Sequence, residues 1–169
     1  PHRAKGYGNI ELYTKRVEAL AFFAKFHEVD LWGGGWDRVK DPALREIWKG
    51  RAESKAETVS RYRFALCFEN AIWPGYITEK IFDCFFVGTV PVYWGATDME
   101  KDIPKECFID MRDFSAKGGY GELRAFLHSL SPERIEKYRE AVREYFQSGQ
   151  FRKFTKEHFA ETVLRAISG

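Results

Sequence analysis

One stretch, Tyr62 to Gly95, limits what this chain can fold into more than any other part of it. It opens with the apolar run Phe64 to Phe68, the pattern of a short strand buried on both faces. A polar turn holding Glu69, Asn70, Pro74 and Gly75 follows. Thr78 then stands where a helix cap belongs, with Glu79 and Lys80 in the first turn. Ile81, Phe82, Phe85 and Phe86 give that helix an apolar side, and Gly88 stops it. Val90 to Tyr93 supplies a second strand, and Gly95 permits a tight exit. Strand, loop, helix and strand in that order predict two parallel strands joined by a right-handed crossover. Ligands of such sheets collect beyond the carboxyl ends of the strands, which here means the loop from Glu69 to Thr78.

The residues of that loop carry chemistry. A helix N-terminus offers unpaired N–H groups and partial positive charge, and Lys80 adds a full one. Glu69 and Glu79 can accept hydrogen bonds from sugar hydroxyls, Asn70 can donate and accept, and Tyr76 offers a ring face and a hydroxyl. Contacts to an anion, a sugar and a base together describe a nucleotide-sugar. The same residues also make an ordinary surface turn with a capped helix.

The runs Phe68-Glu69-Asn70, Tyr76-Ile77-Thr78-Glu79-Lys80 and Gly88-Thr89-Val90-Pro91-Val92-Tyr93-Trp94-Gly95 resemble, in order and spacing, the signature of the α1,3/4-fucosyltransferases, glycosyltransferase family 10. The likeness is strong over this central stretch and looser over Ile10 to Trp36 and Cys107 to Phe114. It implies a Rossmann-like α/β fold, a mostly parallel sheet with helices on both faces, forming one lobe of a two-lobed GT-B glycosyltransferase. Residues 1–169 are then a GDP-fucose-binding domain. Family members run to about twice this length because a second lobe of domain size binds the acceptor. The presumed catalytic base belongs to that N-terminal lobe, so no catalytic residue is assigned here. The implied reaction is inverting transfer of L-fucose from GDP-fucose to a hydroxyl of an N-acetylglucosamine-containing glycan, with α1,3 linkage.

The resemblance also assigns roles. Lys15-Arg16-Val17-Glu18 precedes Ala21-Phe22-Phe23, so Arg16 is the position that inherits a phosphate contact. A guanidinium suits a pyrophosphate because it donates two parallel hydrogen bonds. Asn70, Tyr76, Glu79 and Lys80 are the other expected donor-binding residues, with Glu69 and Thr78 as further donor-loop residues. Two cations and a helix dipole can stand in for a divalent metal, and no DxD triplet occurs, so no cofactor is expected. Alanine at Lys80 or Arg16 is expected to weaken GDP binding with less effect on folding. Two alternatives stay open: a GT-B enzyme using another nucleotide-sugar such as GDP-mannose, and a non-catalytic interaction module.

The rest of the chain agrees with one α/β domain. Its 169 residues, 44% hydrophobic, can build a full core. A net charge of only +2 argues against a nucleic-acid partner. No apolar stretch is long enough to cross a bilayer and no signal peptide is visible, although a start at Pro1 leaves room for a missing upstream part. Cys67, Cys84 and Cys107 lack CxxC spacing and read as reduced core residues, with a disulfide between two of them as the alternative. A cytoplasmic protein, peripherally associated with the inner face of a bacterial membrane, is therefore expected over one of the Golgi lumen.

Along the flanks, Pro1 to Gly8 reads as loop, and Tyr13, Val17, Leu20 and Ala24 define one face of a helix. Val29 to Trp32 and Cys107 to Asp110 read as strands, and Met111 to Phe114 as a turn away from the sheet. Asp41-Pro42 and Ser131-Pro132-Glu133 are helix starts, and Thr155 caps a last helix. The terminal helices are expected to cover the sheet. Asp98, Glu100 and Asp102 alternate in a way that invites a metal reading but lack a partner motif. His2, His27, His128 and His158 are scattered and pair with no cysteine at ligand spacing.

Overall fold

The computed structural model describes residues 10–115 and 119–168. The loop expected at Pro1 to Gly8, with His2, lies outside them. Helix α1 (Tyr13–Ala24) is followed by two short helices, α2 (Pro42–Ile47) and α3 (Lys55–Val59). The central unit comes next: β1 (Phe64–Phe68), α4 (Glu79–Val87) and β2 (Val90–Trp94). Then follow β3 (Ile109–Asp110), α5 (Arg112–Ser115), α6 (Tyr120–Ser129), α7 (Pro132–Gln147) and α8 (Lys156–Ser168).

Local chemistry explains several of these ends. Asp41 accepts the Ala43 N–H at 2.9 Å, with Pro42 at the first helical position. Ser131 does the same for Arg134 at the start of α7, again followed by proline. Gly88 ends α4 with φ of 74°, a left-handed conformation that L side chains resist.

The strands lie in the order β1-β2-β3, all parallel, with Leu66 opposite Val92 and Val92 opposite Ile109. Because side chains alternate across a strand, each sends residues to both layers. Cys67 and Tyr93 join Ile81, Cys84 and Phe85 of α4 and Val142 and Tyr145 of α7. Phe68, Val92 and Ile109 join Ala19 and Phe23 of α1 and Leu123 of α6 on the other face. The fold is thus a parallel sheet with helices on both sides, as the sequence predicts. All three cysteines are buried and unbridged, and Cys67 and Cys84 touch at 3.2 Å between sulfurs. No helix among the described residues is long and apolar enough to cross a membrane.

Several details differ from expectation. Val29 to Trp32 is not a strand: Leu31 makes one isolated parallel bridge to Trp48 and packs in a small cluster with Leu44 and Ile47. The third strand keeps only two residues, because Lys105–Cys107 winds into a 3-10 turn before it. Of the turn expected at Met111 to Phe114 only Met111 is turn, since α5 begins at Arg112. Helix α1 buries Ala19, Leu20, Phe23 and Ala24, while Tyr13 and Val17 face solvent. Helix α7 does pack on the sheet, but α8 does not. It rests on the 3-10 stretch Gly149–Phe154 and leaves Phe159, Leu164 and Ile167 exposed.

Candidate functional site

The parallel strands bring three chain segments together at their carboxyl ends. The loop after β1 is tied down along its length. Leu12 and Ile72 donate backbone hydrogen bonds to Asn70 and Ile10, and Glu11 pairs with Ala71 in an isolated bridge. Gly75, at φ 69°, donates its N–H to Asp98 at 2.6 Å, and that contact holds the Asp98 carboxyl low. Tyr93 donates from its hydroxyl to the Tyr76 carbonyl at 3.2 Å and accepts from the Ala96 N–H at 3.0 Å. Burial pushes the Tyr93 hydroxyl up, so it stays a neutral donor. Trp73 stands at the loop tip with its ring in solvent.

Beneath this loop lies Glu69, wholly buried. Its carboxylate accepts from the Thr78 N–H at 2.9 Å, from the Thr78 hydroxyl, and from the Lys80 ammonium at 2.8 Å. Thr78 occupies the cap position of α4, but its hydroxyl does not cap the helix as expected. The hydroxyl instead donates to the Glu69 carboxylate and accepts from the Lys80 ammonium, which occupies it away from the helix N–H groups. Lys80 also donates to the Thr78 hydroxyl at 3.0 Å, and its side chain is 24% exposed. Two of its three N–H groups are therefore used, leaving one.

Arg16 reaches the same place from α1. One terminal nitrogen donates to the Phe68 carbonyl at 2.6 Å, the Glu69 carbonyl at 3.2 Å and the Asn70 side-chain oxygen at 3.4 Å. Its Nε and other terminal nitrogen make no hydrogen bond to the described residues. Glu79 is exposed at the helix start. Burial pushes its carboxyl up, but its own backbone N–H, Lys80 and the Thr78 hydroxyl outweigh that and hold it below the ordinary value. The structure thus gathers Arg16, Glu69, Asn70, Thr78 and Lys80 into one connected group, with Tyr76 anchored through its carbonyl and Glu79 at the rim.

Two features escaped sequence reasoning. Tyr93 reads as a strand residue, and only its position opposite Tyr76 reveals it as a loop anchor. Asp110, buried at the end of β3, is clamped by Arg112 at 2.9 Å, and Arg112 also binds the Thr97 carbonyl and Glu100. This brace fixes the turn after β2. The alternating acids go three ways: Asp98 to Gly75 and Lys101, Glu100 to Arg112, and Asp102 to Lys153.

An open concavity of about 990 Å³ lies elsewhere, beside β3, α6 and α7. Lys105, Arg134 and Lys137 line it, but so do Glu106, Asp113, Glu122, Glu140 and Glu144. That carboxylate surplus opposes an anion. In the strand-end group Arg16 and Lys80 offset the carboxylates of Glu69 and Glu79. Glu69 is already taken up by Thr78 and Lys80, and the N–H groups at the start of α4 tip the balance toward an anion.

Fold and site together define an α/β domain with a candidate anion-binding end, the class to which nucleotide-sugar-binding lobes belong. Residues 4–165 match the family model described as glycosyltransferase family 10 (fucosyltransferase) C-term. The chain belongs to that family. It is 36% identical over 95 residues to an α-(1,3)-fucosyltransferase of Helicobacter pylori, covering 56% of this chain and 18% of that enzyme. It is also 36% identical over 107 residues to human α-(1,3)-fucosyltransferase 7, covering 57% of this chain and 30% of that protein. Among solved structures, an α1,3-fucosyltransferase with GDP superposes with a TM-score of 0.57 at 29% identity, covering 76% of this chain and 34% of the other. The chain therefore spans well under half the length of these relatives.

Proposed function

We propose that this chain is the donor-binding part of a fucosyltransferase, holding GDP-fucose with its diphosphate between Arg16 and the start of α4. The observation that carries the reading is the convergence of Arg16 and Lys80 on one residue, Glu69, at the carboxyl end of β1. Each cation keeps donors for a further acceptor. The solved relative with GDP supports the choice of nucleotide.

In the proposed reaction an acceptor hydroxyl attacks the anomeric carbon of fucose with inversion. The bond to the phosphate oxygen breaks, and GDP leaves with its electron pair. Negative charge grows on the diphosphate as positive charge grows on the sugar. Arg16, Lys80 and the N-terminus of α4 stabilise the first of these, the part a divalent ion plays in other enzymes. Glu79 takes sugar or ribose hydroxyls, and Asn70 and Tyr76 flank the nucleoside or sugar. Transfer is to an N-acetylglucosamine-containing glycan in α1,3 linkage. The acceptor-binding groups and the base are placed outside these residues.

Thermal melting with a panel of nucleotide-sugars tests this. A ligand at about 100 times its Kd stabilises the fold by about 2.7 kcal/mol. GDP and GDP-fucose should each raise the melting temperature, without added metal, and GDP-mannose should do less. A larger shift with GDP-mannose would move the assignment to another sugar, and no shift with any guanosine diphosphate would refute donor binding.

A further inference from the structure

We propose that Glu69 is a positioning residue that sets where both cations of the diphosphate site stand, holding Lys80 through its carboxylate and Arg16 through its carbonyl. The inference deepens the donor-binding reading and rests on it. Glu69 is fixed from every side. Its backbone N–H continues the ladder to the Trp94 carbonyl at 2.7 Å, which locks it to β2. Its side chain lies in space that only a glycine at 95 leaves open. A Cβ there would meet Glu69 Cγ and stand 2.5 Å from the Tyr93 hydroxyl. Gly95 thus serves close packing, rather than a turn conformation.

The consequence for Lys80 follows from its chemistry. A lysine is a point charge on a flexible stem, so an unheld ammonium samples many positions. Here two fixed oxygens, Glu69 Oε2 and Thr78 Oγ1, hold it at 2.8 and 3.0 Å beside the first turn of α4. The ammonium is placed before any ligand arrives, which lowers the ordering cost of binding. On the other side, the Glu69 carbonyl at 3.2 Å is one of three acceptors on Arg16, between the Phe68 carbonyl at 2.6 Å and the Asn70 side chain at 3.4 Å. One buried residue therefore spaces the two charges that meet the diphosphate.

Glu69→Gln separates this role from simple bracing. The amide keeps the side chain's shape, and its oxygen can still accept the Thr78 N–H. Its NH2 group then faces the Lys80 donors and releases the ammonium. Removing the carboxylate also relieves repulsion on the diphosphate, but in the parent the ammonium already sits against that charge. E69Q should melt within a few degrees of the parent, because the released ammonium is partly exposed and reaches solvent so that no wholly buried charge is stranded. It should yet bind GDP about tenfold more weakly by calorimetry, the scale of one charge-assisted hydrogen bond. In the K80M background, where no ammonium remains to be placed and the carboxylate stands uncompensated beside the diphosphate site, E69Q should leave GDP affinity unchanged or raise it. Unchanged or tighter GDP binding by E69Q would overturn the proposal, and so would an equal loss in the K80M background. A second readout needs no ligand: labelling of Lys80 by an amine-acylating reagent, followed by mass spectrometry. Lys80 should be labelled several-fold faster in E69Q than in the parent, and equal rates would count against positioning. If the parent binds no GDP at all, the donor-binding reading fails, and the labelling rates still decide the role of Glu69.

Discussion

Lys80 cannot be removed without consequence for Glu69. The carboxylate is wholly buried and the ammonium is its only counter-charge among the ion pairs of the described residues. Breaking a buried pair from one side costs about 3–5 kcal/mol, because the remaining charge is left uncompensated. Lys80→Met should therefore lower the melting temperature by about 6–20 °C, at about 2–4 °C per kcal/mol for a chain of this size. The double variant E69Q/K80M should recover most of that loss in a thermal melt, since no charge is stranded. A K80M protein as stable as the parent would show the pair to be loose in solution. This revises the expectation that alanine at Lys80 or Arg16 chiefly affects binding. Arg16 too holds the Phe68 and Glu69 carbonyls in place. The residue types of the site were readable from the sequence because the motif is contiguous. Their engagement with each other was not, since the Glu69–Lys80 pair depends on how the loop between them folds back. The Asp110–Arg112 brace is hidden differently. Its two residues are two positions apart in sequence, but its reach to Thr97 and Glu100 exists only in three dimensions.

Elements were legible where their signals are local. The β1–α4–β2 unit follows from an apolar run, a cap position, a glycine stop and a second apolar run, all within one short stretch. The helix starts at Asp41 and Ser131 follow from a cap followed by proline. Elements set by distant partners were not legible. Leu31 has one backbone bridge and so forms no strand, and α1 turns Ala19 and Phe23 to the sheet where its periodicity alone favoured Tyr13 and Val17. Helix α8 has an apolar face, yet Phe159 is 70% exposed and Ile167 73%. Its tie to the rest of the fold runs through residues 149–154 and the exposed Arg152–Glu161 ion pair, an interaction worth at most about 1 kcal/mol. A chain ending at Thr155 should therefore melt within a few degrees of the full one and bind less of a hydrophobic dye. A loss of cooperative melting would show that α8 carries more of the core than these contacts give it.

At the scale of the whole molecule, charge distribution separates two surfaces that could take a ligand. In the open groove beside β3 and α7 the carboxylates outnumber the cations. The strand-end group is linked by hydrogen bonds and combines Arg16, Lys80 and the start of α4, with Glu69 held against Lys80. The central claim is that a diphosphate is held at the second of these. The most direct measurement is a backbone amide NMR titration of the labelled chain with GDP in metal-free buffer. The account expects saturable shifts at Arg16, Asn70 and Tyr76 to Ile81, with little change at Lys105, Arg134 and Lys137. Shifts confined to those last three residues, or none anywhere at millimolar GDP, would contradict it.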